Sequence, residues 1–570
     1  MNRSRPTRRP ALAANAFALT LLLNAGTAAA ASLPDIAGTH EPFAAHAIYF
    51  VMTDRFVNAD PTNDQREQGG EHPSFDIPVQ GAPPGEADNI GYLGGDFKGI
   101  VDNADYIRQL GFGAVWVTPI VDNPDEAFTG GDPVSWGSFL TDRGKTGYHG
   151  YWGVNFYRLD EHLPSAGLDF AGFTRAMHQH GLKVVLDIVC NHGSPSFTMP
   201  VAQAKFGQIF DASGTLVADH QNLPPEQLDP ENQPLHRFFH TEKDLAQLSN
   251  LDDTSQTVFE YLTGAYLQWI DQGADAFRID TVSHMPEAFW KRFSARIRTK
   301  HPGFFMFGEA FDYDANKIAQ YTQPDSGALS LLDFPLKAQM SKVFGKEHGD
   351  YALLGAALGL DGSAFRNPYE LVTFYDNHDM ARLDATDAGF IDAHNWLFTA
   401  RGIPAIYYGS EIGFMRGRAE HQGNRNYFGA ERIRTAPSHT IYRHLQRIAR
   451  LRAKTPALQQ GVQVNIALKG ERAAFYRVLR TGRQRQIALV LLNKGDDATN
   501  FDVPDPIAKS GRWKAVLDSR AVSVEKDGGL HVRVDAHDVQ VYLLQGPLVP
   551  ADFSAVLSRG PGTSGAINTR

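Results

Sequence analysis

Three carboxylates stand where apolar runs end. Ala276-Phe277-Arg278-Ile279 closes on Asp280, and Phe304-Phe305-Met306-Phe307-Gly308 closes on Glu309. Leu371-Val372-Thr373-Phe374-Tyr375 leads through Asp376-Asn377-His378 to Asp379. Arg278 precedes Asp280 by two positions, so both share one face of a strand. A guanidinium there holds a carboxylate ionised and oriented. Glu309 follows an apolar run, and desolvation raises a carboxyl toward the pKa of a general acid. One ionised carboxylate beside one protonated carboxyl is the pair that glycosidic cleavage uses. With a nucleophile it implies a separation of about 5–5.5 Å and a retained anomeric configuration.

Four histidines lie near these acids in sequence: His149, His192, His284 and His378. As a set at strand ends they suit the hydroxyls of a bound sugar. Tyr148, Tyr151 and Trp152 flank His149 and offer faces for a pyranose ring, although such clusters are as often core. None of these four histidines shows H-x-x-x-H spacing or a neighbouring cysteine, which disfavours zinc. There is no Gly-rich phosphate loop opening a helix, and no serine elbow.

The elements that must position these residues alternate. Strand-like runs at Ala47–Met52, Ala114–Val117, Lys183–Val189, Ala274–Ile279, Phe304–Phe307, Leu331–Phe334, Leu371–Phe374 and Ile403–Tyr408 are separated by helical stretches such as Phe97–Leu110, Thr257–Ile270, Glu287–Thr299 and His439–Lys454. Eight strands in this pattern predict an α/β fold, a (β/α)8 TIM barrel, with active groups at the C-terminal strand ends. The barrel is expected over 32–192 and 251–458. Residues 193–250, polar and rich in Pro, Gln, Asp and His, read as a subdomain inserted after the third strand. From 459 to 546 short alternating runs predict an antiparallel β-sandwich domain. Residues 547–570, with Gly560-Pro561-Gly562, read as a flexible tail.

Arg3, Arg5, Arg8 and Arg9 precede an apolar stretch ending in Ala28-Ala29-Ala30-Ala31, so residues 1–31 read as a secretory signal peptide, and the protein as exported to periplasm or medium. Formal net charge is -10, and losing four arginines makes it more negative. Such a protein is a poor partner for nucleic acid or, once the signal is removed, for an anionic membrane. The one cysteine, Cys190, lies in an apolar run and reads as a packed thiol.

These motifs resemble the α-amylase family of glycoside hydrolases. Asp187-Ile188-Val189-Cys190-Asn191-His192, Phe277-Arg278-Ile279-Asp280-Thr281-Val282-Ser283-His284, Phe307-Gly308-Glu309 and Phe374-Tyr375-Asp376-Asn377-His378-Asp379 are similar to its four regions, and Gly147-Tyr148-His149-Gly150-Tyr151-Trp152 to a further segment. The resemblance spans roughly residues 45–545. It implies Asp280 as nucleophile, Glu309 as general acid/base and Asp379 as transition-state stabiliser, with Arg278, His149, Tyr151, His192 and His378 around the sugar. Trp152 and His284 are further candidate substrate contacts. Within the family, His284-Met285-Pro286, Ser330-Leu331-Leu332-Asp333-Phe334 and Asn377-His378-Asp379-Met380 resemble the cyclodextrin glucanotransferase branch. Two departures stand out. The sequence leaves no room after the small β domain for that branch's extra C-terminal domains, so none is expected here, and the position of the ring-stacking aromatic, 34 residues before Asp280, holds Ala246.

The resemblance also implies structural Ca²⁺. Asn58, Asp60, Asn63 and Asp64, with Gly94 and Asp96, resemble one site of that branch, and their oxygen-rich side chains suit a hard cation. Asn191, Asn250 and the His284 carbonyl would form a more general site, weakened because many relatives carry Asp at position 250. The expected function is hydrolysis of α-1,4 bonds in starch, maltodextrins or cyclodextrins. A transglycosylase of the same mechanism and a non-catalytic glucan-binding protein are the alternatives.

Overall fold

A computed structural model of the protein describes residues 34–482, 484–504, 513–517, 523–524 and 529–558. The expected signal peptide and the Gly560-Pro561-Gly562 segment lie outside the described residues. No helix among the described residues is long and apolar enough to cross a membrane.

Eight parallel strands form the barrel: β1 (Ile48–Val51), β2 (Ala114–Val117), β3 (Lys183–Ile188), β4 (Ala276–Ile279), β5 (Phe305–Gly308), β6 (Ser330–Leu331), β7 (Val372–Thr373) and β8 (Ile403–Tyr407). Their spatial order is β6-β5-β4-β3-β2-β1-β8-β7, and a parallel bridge between Leu332 and Val372 brings β7 back to β6. Strands buried on both faces need continuous apolar sequence, which is why β1, β2 and β5 read so plainly. β6 is shorter than its apolar run. Pro335 and the Asp333 side chain, which accepts from the Leu336 amide (3.1 Å), start a helix at Phe334. The expected helix over Phe97–Leu110 is two, Phe97–Asp102 and Ala104–Leu110. They part at Asn103, whose side-chain amide donates to the Gly99 carbonyl (2.7 Å).

Between β3 and the helix Gln256–Asp271 the chain leaves the barrel. His192–Pro195 pairs antiparallel with Leu248–Asn250, and the hairpin Gln208–Phe210/Leu216–Asp219 lies within this excursion. Among the described residues, the C-terminal strands form two antiparallel sheets of five and three strands. In Arg472–Arg480, Phe475 and Leu479 join the barrel's apolar core while Ala474, Tyr476 and Val478 face the second sheet. This is the period of two expected of a strand covered on both sides. The tail expected to be flexible from 547 instead carries a helix, Pro550–Leu557. Its Phe553 and Val556 are buried in the β-domain core, so hydrophobic burial fixes it.

The barrel and β domain are also joined by His537. Its Nδ1 lies 2.7 Å from Asp392 on the helix Asp387–Thr399, and its Nε2 lies 3.0 Å from Asp496. The Asp392 contact raises the imidazole to about 9. A raised histidine contributes its full stability below its unfolded pKa of about 6.5, and that contribution disappears as pH rises through the folded value. His537→Gln is expected to lower Tm by roughly 1–2 °C near pH 6, because the site is part-exposed, and by nothing measurable near pH 10. Thermal melts of both proteins across that range check it.

Candidate active site

Parallel register sets Arg278 on β4 beside Asp187 on β3 and Phe307 on β5. The Arg278 side chain is fully buried. Its Nη1 donates to Asp187 Oδ1 (2.9 Å) and Asp280 Oδ1 (2.7 Å), and its Nη2 donates to Glu309 Oε2 (2.6 Å). One guanidinium thus meets three carboxylates. Backbone bonds fix the two on the strand ends: the Asp280 amide donates to the Ile188 carbonyl (2.9 Å), and the Glu309 amide to the Ile279 carbonyl (2.8 Å). Thr281 turns the chain away from Asp280 in a left-handed conformation, φ +47°.

Asp379 reaches the same cleft from beyond β7. Its Oδ1 takes a bond from Arg425 Nη2 (3.1 Å) and lies 3.2 Å from His378 Nε2. Tyr151 donates to Asp187 Oδ2 (2.8 Å), and its ring stacks on His378 at 5.2 Å between centroids. Trp116 Nε1 donates to the same Asp187 oxygen (2.9 Å). The pocket, about 420 Å³, is lined by Asp280, Glu309 and Asp379, by His149, Tyr151, Trp152, His192, His284 and His378, and by Ala246 with its neighbours Leu245 and Leu248. All the residues expected to touch substrate except Arg278 therefore border one pocket, and Arg278 lies behind it against the acids.

Burial sets the protonation states. Glu309 is pushed well above the ordinary glutamate value by burial, to which Asp379 and Asp280 add, against the lowering effect of Arg278. Burial raises Asp379 to about 6 and Asp187 to about 7. His149, His192 and His378 are lowered by burial, so each is a neutral imidazole with one N–H to donate. His192 Nδ1 and His378 Nδ1 have no protein partner. Cys190 is fully buried and its thiol is pushed up by burial, the state of an inert packed side chain.

The loop expected to hold calcium divides into two sets. Asn58 Nδ2 donates to Asp64 Oδ1 (2.7 Å), while Asn58 Oδ1 and Asn63 Oδ1 are buried without a partner. Gly94, at φ +83°, closes over them: a Cβ there would lie 2.2 Å from both Asn58 Nδ2 and Asp64 Oδ1. Unpaired amide oxygens beside a buried carboxylate fit a hard cation. The side chains of Asp60 and Asp96 do not join this set. Asp96 accepts from the backbone amides of Gly99 (2.5 Å), Asp60 (2.8 Å) and Ala59 (3.0 Å), and Asp60 turns to Thr62. Their carboxylates cap backbone donors, a competing demand that an Asx-rich sequence does not distinguish.

At the second expected site, Asn191 Nδ2 donates to Asp244 Oδ2 (2.9 Å), and His284 Nδ1 lies 3.0 Å from Asp244 Oδ1. The Asn250 carbonyl is bonded to the His240 amide (3.0 Å). Asp244, overlooked in the sequence because the inserted segment has no periodicity, brings there the charge that Asn250 lacks. A separate acidic group, Asp122, Asp125 and Glu161, carries its own cation: Lys205 Nζ lies 2.9 Å from Asp125 and 3.4 Å from Asp122. Arg425, Glu420 and Lys145 were also not foreseen. Arg425 pairs with Glu420 of its own loop at 2.9 Å, and Lys145 reaches Glu420 from the β2 loop at 3.4 Å, so no short spacing links all three.

Similarity to known proteins gives the family. The pattern for the α-amylase catalytic domain matches residues 50–456, and the chain belongs to the α-amylase family. It is 27% identical over 543 residues to a cyclomaltodextrin glucanotransferase of Klebsiella oxytoca, covering 85% of this chain and 76% of that one. A cyclomaltodextrin glucanotransferase of Niallia circulans is 31% identical, covering 79% of this chain, which spans only 60% of that enzyme. Among solved structures, the acarbose complex of the Geobacillus thermoleovorans α-amylase superposes with a TM-score of 0.67 at 25% identity, covering 89% of this chain and 99% of that one. CldA, described as a cyclomaltodextrin glucanotransferase with a three-domain ABC distribution, gives 0.69 at 27% identity, with coverage of 88% and 99%. The protein is thus an enzyme of the glycoside hydrolase and transglycosylase type, with its relatives in the cyclodextrin glucanotransferase branch.

Asp379 raises Glu309 electrostatically, so removing its charge lowers the Glu309 pKa. The residual activity of Asp379→Asn is expected to lose its alkaline limb at lower pH than wild type. A kcat/KM profile for each protein checks the shift.

Proposed function

We propose that the protein is an exported, retaining enzyme that hydrolyses α-1,4-glucosidic bonds of starch, maltodextrins or cyclodextrins. The observation that carries this reading is the single guanidinium shared by Asp280 and Glu309, which holds the two acids together at the strand ends. Asp280 attacks the anomeric carbon of the bound glucosyl unit as Glu309 gives its proton to the departing oxygen. Positive charge develops at the ring, and Asp379 lies opposite to stabilise it. Glu309, now ionised, takes a proton from water, which attacks the glycosyl-Asp280 ester and restores the starting state with configuration retained. The neutral His149, His192 and His378 donate to sugar hydroxyls, Tyr151 and Trp152 pack on the ring, and His284 borders the departing chain.

Water competes for the ester because Ala246, with Leu245 and Leu248, presents a small surface where an aromatic would steer a glucan end back into the site. Transglycosylation is the second reading, favoured by the relatives described as cyclomaltodextrin glucanotransferases; the three-domain CldA removes domain number as a discriminator. On maltoheptaose the hydrolase reading expects short linear products; mainly cyclic or longer products would establish the transferase. Asp280→Asn is expected to lower kcat by at least ~10³-fold with the fold intact by circular dichroism. Unchanged turnover would remove the mechanism.

Structural calcium belongs to the same proposal, held by Asn58, Asn63 and Asp64 beneath Gly94, with a second ion at Asn191, Asp244 and the His284 carbonyl. A bound ion supplies charge that holds the loops in place. Asn63→Ala is expected to reduce the rise in Tm that calcium gives after chelation, measured by melts with and without the ion. A wild-type Tm indifferent to chelator and calcium contradicts it.

A further inference from the structure

The two ends of the cleft are built differently. Loops following β3, β4 and β5 make one end, with Leu245, Ala246, His284 and Phe311. If Glu309 protonates the departing oxygen, the leaving chain lies at this end. The loops following β2 and β8 line the cleft beside Asp379, and we assign the non-reducing side of the substrate to them; Asp142 of the β2 loop also takes a bond from Gln247 (3.2 Å). These two loops are tied together. His421 Nδ1 lies 3.0 Å from the Ser138 carbonyl and 3.3 Å from Ser138 Oγ, and the Gly137 amide donates to the His421 carbonyl (3.4 Å). Beneath them an unbroken ionic chain runs from Asp142 to Lys145 (2.9 Å), Glu420 (3.4 Å), Arg425 (2.9 Å) and Asp379 (3.1 Å).

His421, Lys145 and Arg425 are buried, so these contacts hold in low dielectric and resist screening. Above the chain, at the tip of the β2 loop, Phe139 and Leu140 line the cleft yet remain 67% and 59% exposed. Apolar side chains left in water beside a sugar-sized pocket have no structural partner and suit the C–H faces of a terminal glucosyl unit.

Resting on the α-glucan reading above and narrowing it to linear chains rather than cyclodextrins, we infer that the tied β2 and β8 loops form a wall across the non-reducing end of the cleft, so that the enzyme accepts a chain end and releases a short product of one size. Phe139 and Leu140 are the specificity-determining surface of that wall. A continuing chain would have to cross the Ser138–His421 contact that joins the two loops, so polymer interiors are excluded on this inference.

The test uses two maltoheptaosides with an ultraviolet-absorbing phenol at the reducing end, one with a free non-reducing end and one with that end blocked by a ketal, and cleavage is followed by chromatography of the phenol-bearing fragments. Wild type is expected to cut the free-ended substrate at least ~10-fold faster than the blocked one. In a variant whose residues 136–140 are replaced by two glycines, the two rates should come within about twofold of each other. Equal wild-type rates on both substrates would overturn the wall while leaving the α-glucan reading intact. So would a wild-type ratio that persists unchanged in a folded variant. No turnover of the free-ended substrate would overturn the reading and the wall with it. The wild-type ratio decides the matter even where the variant fails to fold.

Discussion

Everything in the cleft depends on one buried cation. The Arg278 guanidinium is surrounded by Asp187, Asp280 and Glu309, each within 2.9 Å. A guanidinium without partners in this interior would be strongly unfavourable, and carboxylates this close would repel one another without it. Three acids and one base leave an excess of negative charge, and burial concentrates its effect. The excess is relieved by keeping a proton, and Glu309, with Asp280 and Asp379 around it, is where that proton is held. One arginine thus holds Asp280 and Glu309 alike, at 2.7 Å and 2.6 Å.

The barrel exists in this account to hold that arrangement still. Parallel register puts residues 187, 278 and 307 in one row, and backbone bonds from the amides of Asp280 and Glu309 fix where the carboxylates begin. Asp187 is further locked by Trp116 and Tyr151, so the guanidinium has little freedom. Asp379 arrives from a loop rather than a strand end, and Arg425 does for it what Arg278 does for Asp280. Outward from there the same ionic chain reaches the β2 loop, so catalytic geometry and cleft shape share one network.

What could be read in advance follows from how each feature is encoded. Strands buried on both faces need apolar runs, and an acid ending such a run is conspicuous, so the barrel and the three central carboxylates were legible. Asp244, Glu420, Arg425 and Lys145 were not, since each meets its partner across loops that carry no period. Asn103 looked like one more helical residue until its side chain turned back to the Gly99 carbonyl. Asp96 caps backbone donors, a role its sequence does not separate from cation binding, because oxygen-rich loops serve both with the same residues. The helix Pro550–Leu557 was hidden by its short length and the glycines after it; Phe553 and Val556, apolar and three apart, were its signal.

The central claim is that Asp280 carries the sugar between the two halves of the reaction. A fluorinated α-glucosyl or maltosyl fluoride slows release of the glycosyl ester more than its formation and lets the intermediate accumulate. Peptide mass spectrometry after such trapping should find one added glycosyl unit, on the peptide containing Asp280 and on that side chain. An adduct on another residue, or none under conditions where the fluoride ion is released in a burst, would contradict the account.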